Sequence, residues 1–149
     1  MPLRIYLDLC CLNRPFDDQT QSRIYLETQA LVLLLERIAN GKHTLCGSAA
    51  LVVENGQNPD EERKTKVNEM MKQATDWIPH RKELDDRVKE LLLLGFRSFD
   101  AYHVASAEAG GCDRLVTCDD QFLKASRRAA VKIKVMVTDL LNLASEPGF

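Results

Sequence analysis

With 149 residues, 45% of them hydrophobic and 28% charged, the chain is long enough for one real core and short for two, and its balance is not that of a disordered polymer. A net charge of −2 provides no overall basic field to draw in nucleic acid, so any such contact rests on a local patch. No apolar run approaches the roughly 20 residues of a membrane span. The opening Met1-Pro-Leu-Arg-Ile-Tyr-Leu-Asp8 lacks the apolar segment and cleavage site of a signal peptide, which sets the expectation of a cytoplasmic protein.

In chain order, Leu3 to Leu9 reads as a short buried first strand with Asp8 near its end. Cys10 to Thr20 carries turn chemistry, Asn13-Arg14-Pro15 and Asp17-Asp18, and reads as a loop. A long helix is expected from Gln21 to Ala39, ended by Asn40-Gly41. Its apolar stripe of Ile24, Leu31, Leu34, Leu35 and Ile38 is widened by Leu26, Ala30 and Leu33, as suits deep burial or a partner surface.

His43 to Ser48 is the second expected strand, followed by a short helix over Ala49–Asn55 that carries Glu54. Asn58-Pro-Asp-Glu61 has the pattern of a helix start with Asn58 as cap and Pro59 in the first position. Asp76 to Pro79 is expected as a third strand, with Trp77 in the core. A helix through Leu84, Val88, Leu91 and Leu92 stops at Gly95, and Ser98 is expected to cap the next, Phe99 to Ala109. Arg114 to Thr117 is the fourth strand; Asp119 or Asp120 starts a short helix. Lys132 to Val137 alternates like an edge strand, and Thr138 caps a last helix.

Strands alternating with helices predict an α/β fold, a mostly parallel sheet of about five strands covered on both faces in one domain spanning 1–149. In such sheets ligands bind beyond the carboxyl ends of the strands, where the strand order reverses. Asp8 and Asp119 both fall at predicted carboxyl ends, while Glu54 and Asp100 sit on a helix face and in a helix's first turn. Taken singly, an acid at such a place is often only a cap or a surface charge; the joint pattern of four carries the site.

Four carboxylates in one pocket repel, and without a counter-ion some would take up protons. A hard divalent cation removes that repulsion, since Mg²⁺ and Mn²⁺ favour oxygen ligands, and such a cluster can activate water against a phosphodiester. His103, one turn after Asp100, reads as a core histidine rather than a base. Arg14 and Arg23 read as solvated or paired with Asp17 and Asp18, with phosphate contact the lesser reading, and Lys124, Arg127 and Arg128 as surface. The five cysteines, Cys10, Cys11, Cys46, Cys112 and Cys118, are odd in number with no two-residue gap, which suits a reducing compartment. Cys10, Cys46 and Cys118 are expected near one sheet edge as small buried hydrophobes.

Four segments together resemble the PIN-domain family, the fold of the VapC-type toxin ribonucleases. They are Ile5-Tyr-Leu-Asp8-Leu; Ser48-Ala-Ala-Leu-Val-Val-Glu54; Asp100-Ala-Tyr-His-Val-Ala-Ser-Ala; and Leu115-Val-Thr-Cys-Asp119-Asp-Gln-Phe122. The resemblance covers nearly the whole chain and implies a three-layer α/β/α PIN-like domain. It implies that Asp8, Glu54, Asp100 and Asp119 bind Mg²⁺ or Mn²⁺, with Thr117 and Ser48 in support. Asp120 is an ambiguity beside Asp119, with the motif favouring Asp119. The implied activity is an endoribonuclease hydrolysing phosphodiester bonds in RNA, with a small antitoxin and a homodimer as partners. Leu9-Cys10-Cys11 departs from the small polar residue that often follows the family's first Asp.

The alternative is a catalytically silent PIN-like domain that binds RNA or protein, using the wide apolar helix Gln21–Ala39. A different Mg²⁺-dependent phosphoryl-transfer enzyme is a third reading, weakened because Cys10 stands where a second Asp of an Asp-x-Asp pair would be.

Overall fold

A computed structural model describes residues 2–149. Five short strands are formed by Arg4–Leu7 (β1), Thr44–Ser48 (β2), Asp76–Ile78 (β3), Arg114–Val116 (β4) and Met136–Thr138 (β5). The α-helices are Leu9–Asn13 (α1), Ser22–Ala39 (α2), Ala49–Gly56 (α3), Glu61–Met71 (α4), Lys82–Leu93 (α5), Ser98–Ala109 (α6), Asp120–Arg128 (α7) and Leu140–Ala144 (α8). Among the described residues no helix is long and apolar enough to cross a membrane.

The sheet order is β3-β2-β1-β4-β5, and every neighbouring pair is parallel. The sheet is therefore wholly parallel rather than mostly so. β1 and β4 lie inside it, which explains their composition: Ile5, Tyr6, Leu7, Leu115 and Val116 are all buried, because a strand covered on both faces has no polar side. The chain builds from β1 outward through β2 to β3, then returns to the far side of β1 for β4 and β5. Right-handed crossovers put the helices of the two halves on opposite faces, and the result is three layers, α/β/α. α2 packs beside α8, and α5 beside α6. The reversal falls between β1 and β4, and the carboxyl ends of those two strands open the crevice.

Several local expectations give way to side-chain chemistry. The segment after Asp8 is not a loop: the Asp8 carboxylate accepts the Leu9 N–H at 2.7 Å, so strand passes directly into α1, and Pro15 is absorbed by a 3₁₀ turn over Arg14–Phe16. α4 is capped by Asp60, which accepts from Arg63 N–H at 3.1 Å, and not by Asn58, which accepts from Asp60 N–H instead. Ser98 is the first residue of α6 rather than its cap. β5 is three residues long and pairs with all three residues of β4. Ala130–Lys132 forms a 3₁₀ turn, Thr138 ends the strand, and Asp139 caps α8.

Trp77 is not core. It is 48% exposed on the edge strand β3, with its ring lying over Gly47, where a Cβ would come within 2.7 Å of it. On α2 the excess apolar width stays outside: Ala30, Leu31, Leu34 and Ile38 are buried, whereas Tyr25, Leu26, Val32 and Leu33 face outward.

Leu115 is fully buried at the sheet centre and Leu93 is 90% exposed. Leu115→Ala is expected to cost about 2–5 kcal/mol in urea unfolding, and Leu93→Ala to stay within about 0.5 kcal/mol of the parent.

Candidate metal centre

The carboxyl ends of β1 and β4 open on a cleft of about 490 Å³ that Asp8, Glu54, Asp100 and Asp119 all line. Each acid arrives by a different device. The Asp8 N–H bonds Val116 O at 2.9 Å, continuing the β1–β4 ladder one residue past the strand. Its Oδ1 caps Leu9, while Oδ2 accepts from the Thr117 hydroxyl at 2.7 Å and the Cys10 thiol at 3.2 Å. Thr117 Oγ1 also accepts the Asp119 N–H at 3.1 Å, so one hydroxyl joins the two strand ends.

Asp119 is both cap and cleft residue. Its Oδ1 accepts from Gln121 and Phe122 N–H at the start of α7, and its Oδ2 faces Arg97. Asp120, one residue on, turns away and forms a two-pronged pair with Arg23 at 2.9 and 3.0 Å. It does not join the four. Asp100 lies in the first turn of α6, where it also complements the helix dipole.

Glu54, near the end of α3, meets His103 Nε2 at 3.0 Å; Asp8 Oδ1 lies 3.6 Å from the same nitrogen. The other ring nitrogen, Nδ1, bonds Tyr6 Oη at 2.6 Å, and Tyr6 Oη bonds Ser48 Oγ at 2.6 Å. Ser48 Oγ in turn accepts the Leu51 N–H. Ser48 therefore caps α3 and reaches the acids only through Tyr6 and His103.

His103 is completely buried, as a core histidine should be, and yet it touches two of the four acids. Sequence reasoning did not find this, nor the roles of Tyr6 and Arg97. The signal available was spacing: Arg97, Asp100 and His103 recur every three residues along one side of α6 and its approach.

Burial dominates the electrostatics. It pushes the Asp8 carboxyl well above the usual range, aided by Cys10 and opposed by His103 and the Thr117 hydrogen bond. Burial, followed by the charge of Asp8, raises Asp100 to about 6 despite Arg97. At Asp119 burial acts upward too, but the Arg97 hydrogen bond and the backbone N–H groups outweigh it and hold the carboxyl low. Burial alone would lower His103; the Glu54 hydrogen bond and nearby acids reverse it and favour the proton.

One cation, Arg97, and the buried imidazole of His103 thus sit among the four acids. Arg97 bridges Asp100, at 2.9 Å, and Asp119, and His103 supports Glu54 and Asp8. The donor set is oxygen-rich and carries excess negative charge, which fits a hard divalent cation such as Mg²⁺ or Mn²⁺. Asp8, Glu54, Asp100 and Asp119 are the residues that could hold it. With a ring N–H directed at Glu54, His103 orients that carboxylate.

The remaining expectations fall outside the cleft's chemistry. Arg14 pairs with Asp17 at 2.8 Å and Glu27 at 3.2 Å, and Arg23 with Asp120 and Glu27. Cys10 and Cys118 do share the carboxyl edge of the sheet, but Cys46 lies apart from them beside Cys112 and Arg4.

Comparison with known proteins agrees with this architecture. A family model described as the PIN domain matches residues 5–128. No curated protein sequence matches the chain. Among solved structures, the crystal structure of FitAcB from Neisseria gonorrhoeae is similar with a TM-score of 0.57 and 17% identity, covering 92% of this chain and 98% of that one. The crystal structure of VapBC2 from Rickettsia felis, bound to a DNA fragment from their promoter, is similar with a TM-score of 0.57, 15% identity and the same coverage of both chains. At such identities the likeness is one of fold.

Because its carboxyl is raised to about 6 in the folded chain, Asp100 favours the folded state only when protonated. In the presence of EDTA that advantage is complete below about pH 4 and is lost as pH rises toward 6. Asp100→Asn is expected to stabilise the metal-free protein by about 1–3 kcal/mol at pH 7, with the gain shrinking toward zero near pH 4, measured by urea unfolding across pH.

Proposed function

This chain belongs to the PIN-domain family, and on that premise we propose that it is a divalent-metal-dependent endoribonuclease, the toxin of a toxin–antitoxin pair. The observation that carries the reading is the convergence of Asp8, Glu54, Asp100 and Asp119 on one cleft at the strand-order reversal. The fold likeness to chains of FitAcB and VapBC2 supports the toxin part, and the outward apolar residues of α2 support a protein partner, whether a small antitoxin or a second copy in a homodimer. One domain and a cytoplasmic location belong to the same reading.

A bound divalent ion supplies Lewis-acid chemistry: it acidifies water and stabilises the leaving oxygen of a phosphodiester. The chain's own residues do the rest. Asp8 and Asp119 would hold the cation from rigid strand ends, with Thr117 fixing both. Asp100 adds a third carboxylate. Glu54, its Oε1 held by His103, completes the set or takes the proton from the attacking water. Tyr6 and Ser48 keep the imidazole in place.

One observation favours a second reading. Arg97 already neutralises Asp100 and Asp119, as would suit a silent binding domain that uses no metal. The two readings separate on a mixed RNA pool incubated with purified, antitoxin-free protein. Cutting that requires Mg²⁺ or Mn²⁺, stops with EDTA and falls to background in Asp8→Asn is the expected result; no cutting with either metal would leave the binding domain.

Arg97→Gln tests the counter-ion directly. Removing the guanidinium is expected to tighten Mn²⁺ binding by about tenfold, or ~1.4 kcal/mol, in calorimetric titration.

A further inference from the structure

Three sulfurs share one place beside the acids, and beyond the Cys10 hydrogen bond to Asp8 they have no part in the chemistry proposed for them. Cys10 and Cys11 belong to α1, directly behind Asp8, and Cys118 lies between Thr117 and Asp119. Their Sγ atoms all lie within 4.8 Å of one another, although Cys10 and Cys118 are 108 positions apart. Adjacent parallel strands, about 4.8 Å apart, bring the two segments together.

The three are not equivalent. Cys11 and Cys118 are buried, at 0% and 3% exposure. Cys10 is only partly buried and lines the open cleft, so it is the sulfur that a small solute meets. It is already held toward Cys118, whose backbone N–H donates to Cys10 Sγ at 3.2 Å. Thr117 Oγ1 lies 3.3 Å from the same sulfur. An accessible sulfur with a second thiol in reach is the geometry of a pair that an oxidant can join; Cys11 Sγ also lies 3.5 Å from Cys118 Sγ but is closed off from solvent.

We propose that Cys10 and Cys118 form a reversible oxidation site for hydroperoxides, with Cys10 taking the oxidant and Cys118 resolving it. The Cys10 sulfur attacks one oxygen of hydrogen peroxide; the O–O bond breaks, and the departing hydroxide leaves as water with the thiol proton. Cys10 is then a sulfenic acid. The Cys118 sulfur attacks the Cys10 sulfur, the S–O bond breaks, and the second hydroxide leaves as water with the Cys118 proton. Two thiols and one peroxide give one disulfide and two waters, and a dithiol restores the start. The bond ties the segment after Asp8 to the one before Asp119, and it removes the thiol donor from Asp8 Oδ2.

The test is peptide mapping by mass spectrometry under non-reducing conditions, on reduced full-length protein treated with hydrogen peroxide. The expected result is one intramolecular Cys10–Cys118 crosslink, marked by the loss of two hydrogens and reversed by dithiothreitol. Cys11→Ser is expected to keep the crosslink. Cys118→Ser is expected to lose it and to leave a sulfenic acid on Cys10 that dimedone labels. A crosslink surviving Cys10→Ser, a Cys11 linkage in the parent protein, over-oxidation of Cys10 without crosslinking, or no reaction with peroxide would each overturn the assignment. The parent protein's map decides the linkage even where a variant folds poorly.

Discussion

Repulsion among carboxylates held at the end of a parallel sheet is the constraint on which the other features of this chain depend. Charges buried together and left alone would take up protons or push the structure apart; burial raises both the Asp8 and Asp100 carboxyls, and the charge of Asp8 adds to it at Asp100. The fold opposes it with rigidity. Asp8 follows a strand that is buried on both faces, continues its ladder, caps a helix and accepts two further hydrogen bonds. Little of that carboxylate is left to move. The energy that holds it comes from the packing of Ile5, Tyr6, Leu7, Leu115 and Val116, far more than from any bond the acid itself makes.

The second answer to repulsion is a pair of basic partners, Arg97 and His103. Arg97 spans two acids from outside, half exposed to solvent. His103 works from inside, buried and bound at both ring nitrogens. The two differ in kind. An exposed guanidinium is an exchangeable counter-ion that solvent partly screens. The buried imidazole is part of a chain of hydrogen bonds from Ser48 through Tyr6 to Glu54, in which each group fixes the next. The same carboxylate cluster is thus loosely balanced on the Asp100–Asp119 side and tightly organised on the Glu54 side.

Much of this was readable in the sequence because it depends on short-range patterns. Strand runs that end in Asp8 and near Asp119 announced the carboxyl edge, and alternation of strands with helices announced the parallel sheet. Cap identities were less readable, because neighbouring candidates such as Asn58 and Asp60, or Thr138 and Asp139, differ only in which backbone N–H they reach. Trp77 misled because a large ring suggests burial, whereas β3 lies at the sheet edge and Gly47 gives its ring a surface to lie on. His103 and Arg97 were hidden for another reason. Their partners Glu54 and Asp119 are 49 and 22 positions away, and only tertiary structure sets such contacts.

β1 comes first in the chain and ends in the middle of the sheet, with β2 on one side and β4 on the other. A growing chain can pair β1 with β2 early, but the other edge of β1 stays bare until β4 has been made. The bond between Asp8 and Thr117 spans 109 positions, a loop closure of the slow, non-local kind. Asp8 and Glu54 are made well before Asp119, and the cleft is completed only when β4 has joined the free edge of β1. A chain truncated before residue 119 retains Asp8, Glu54 and Asp100 and is missing the fourth acid and a wall of the cleft.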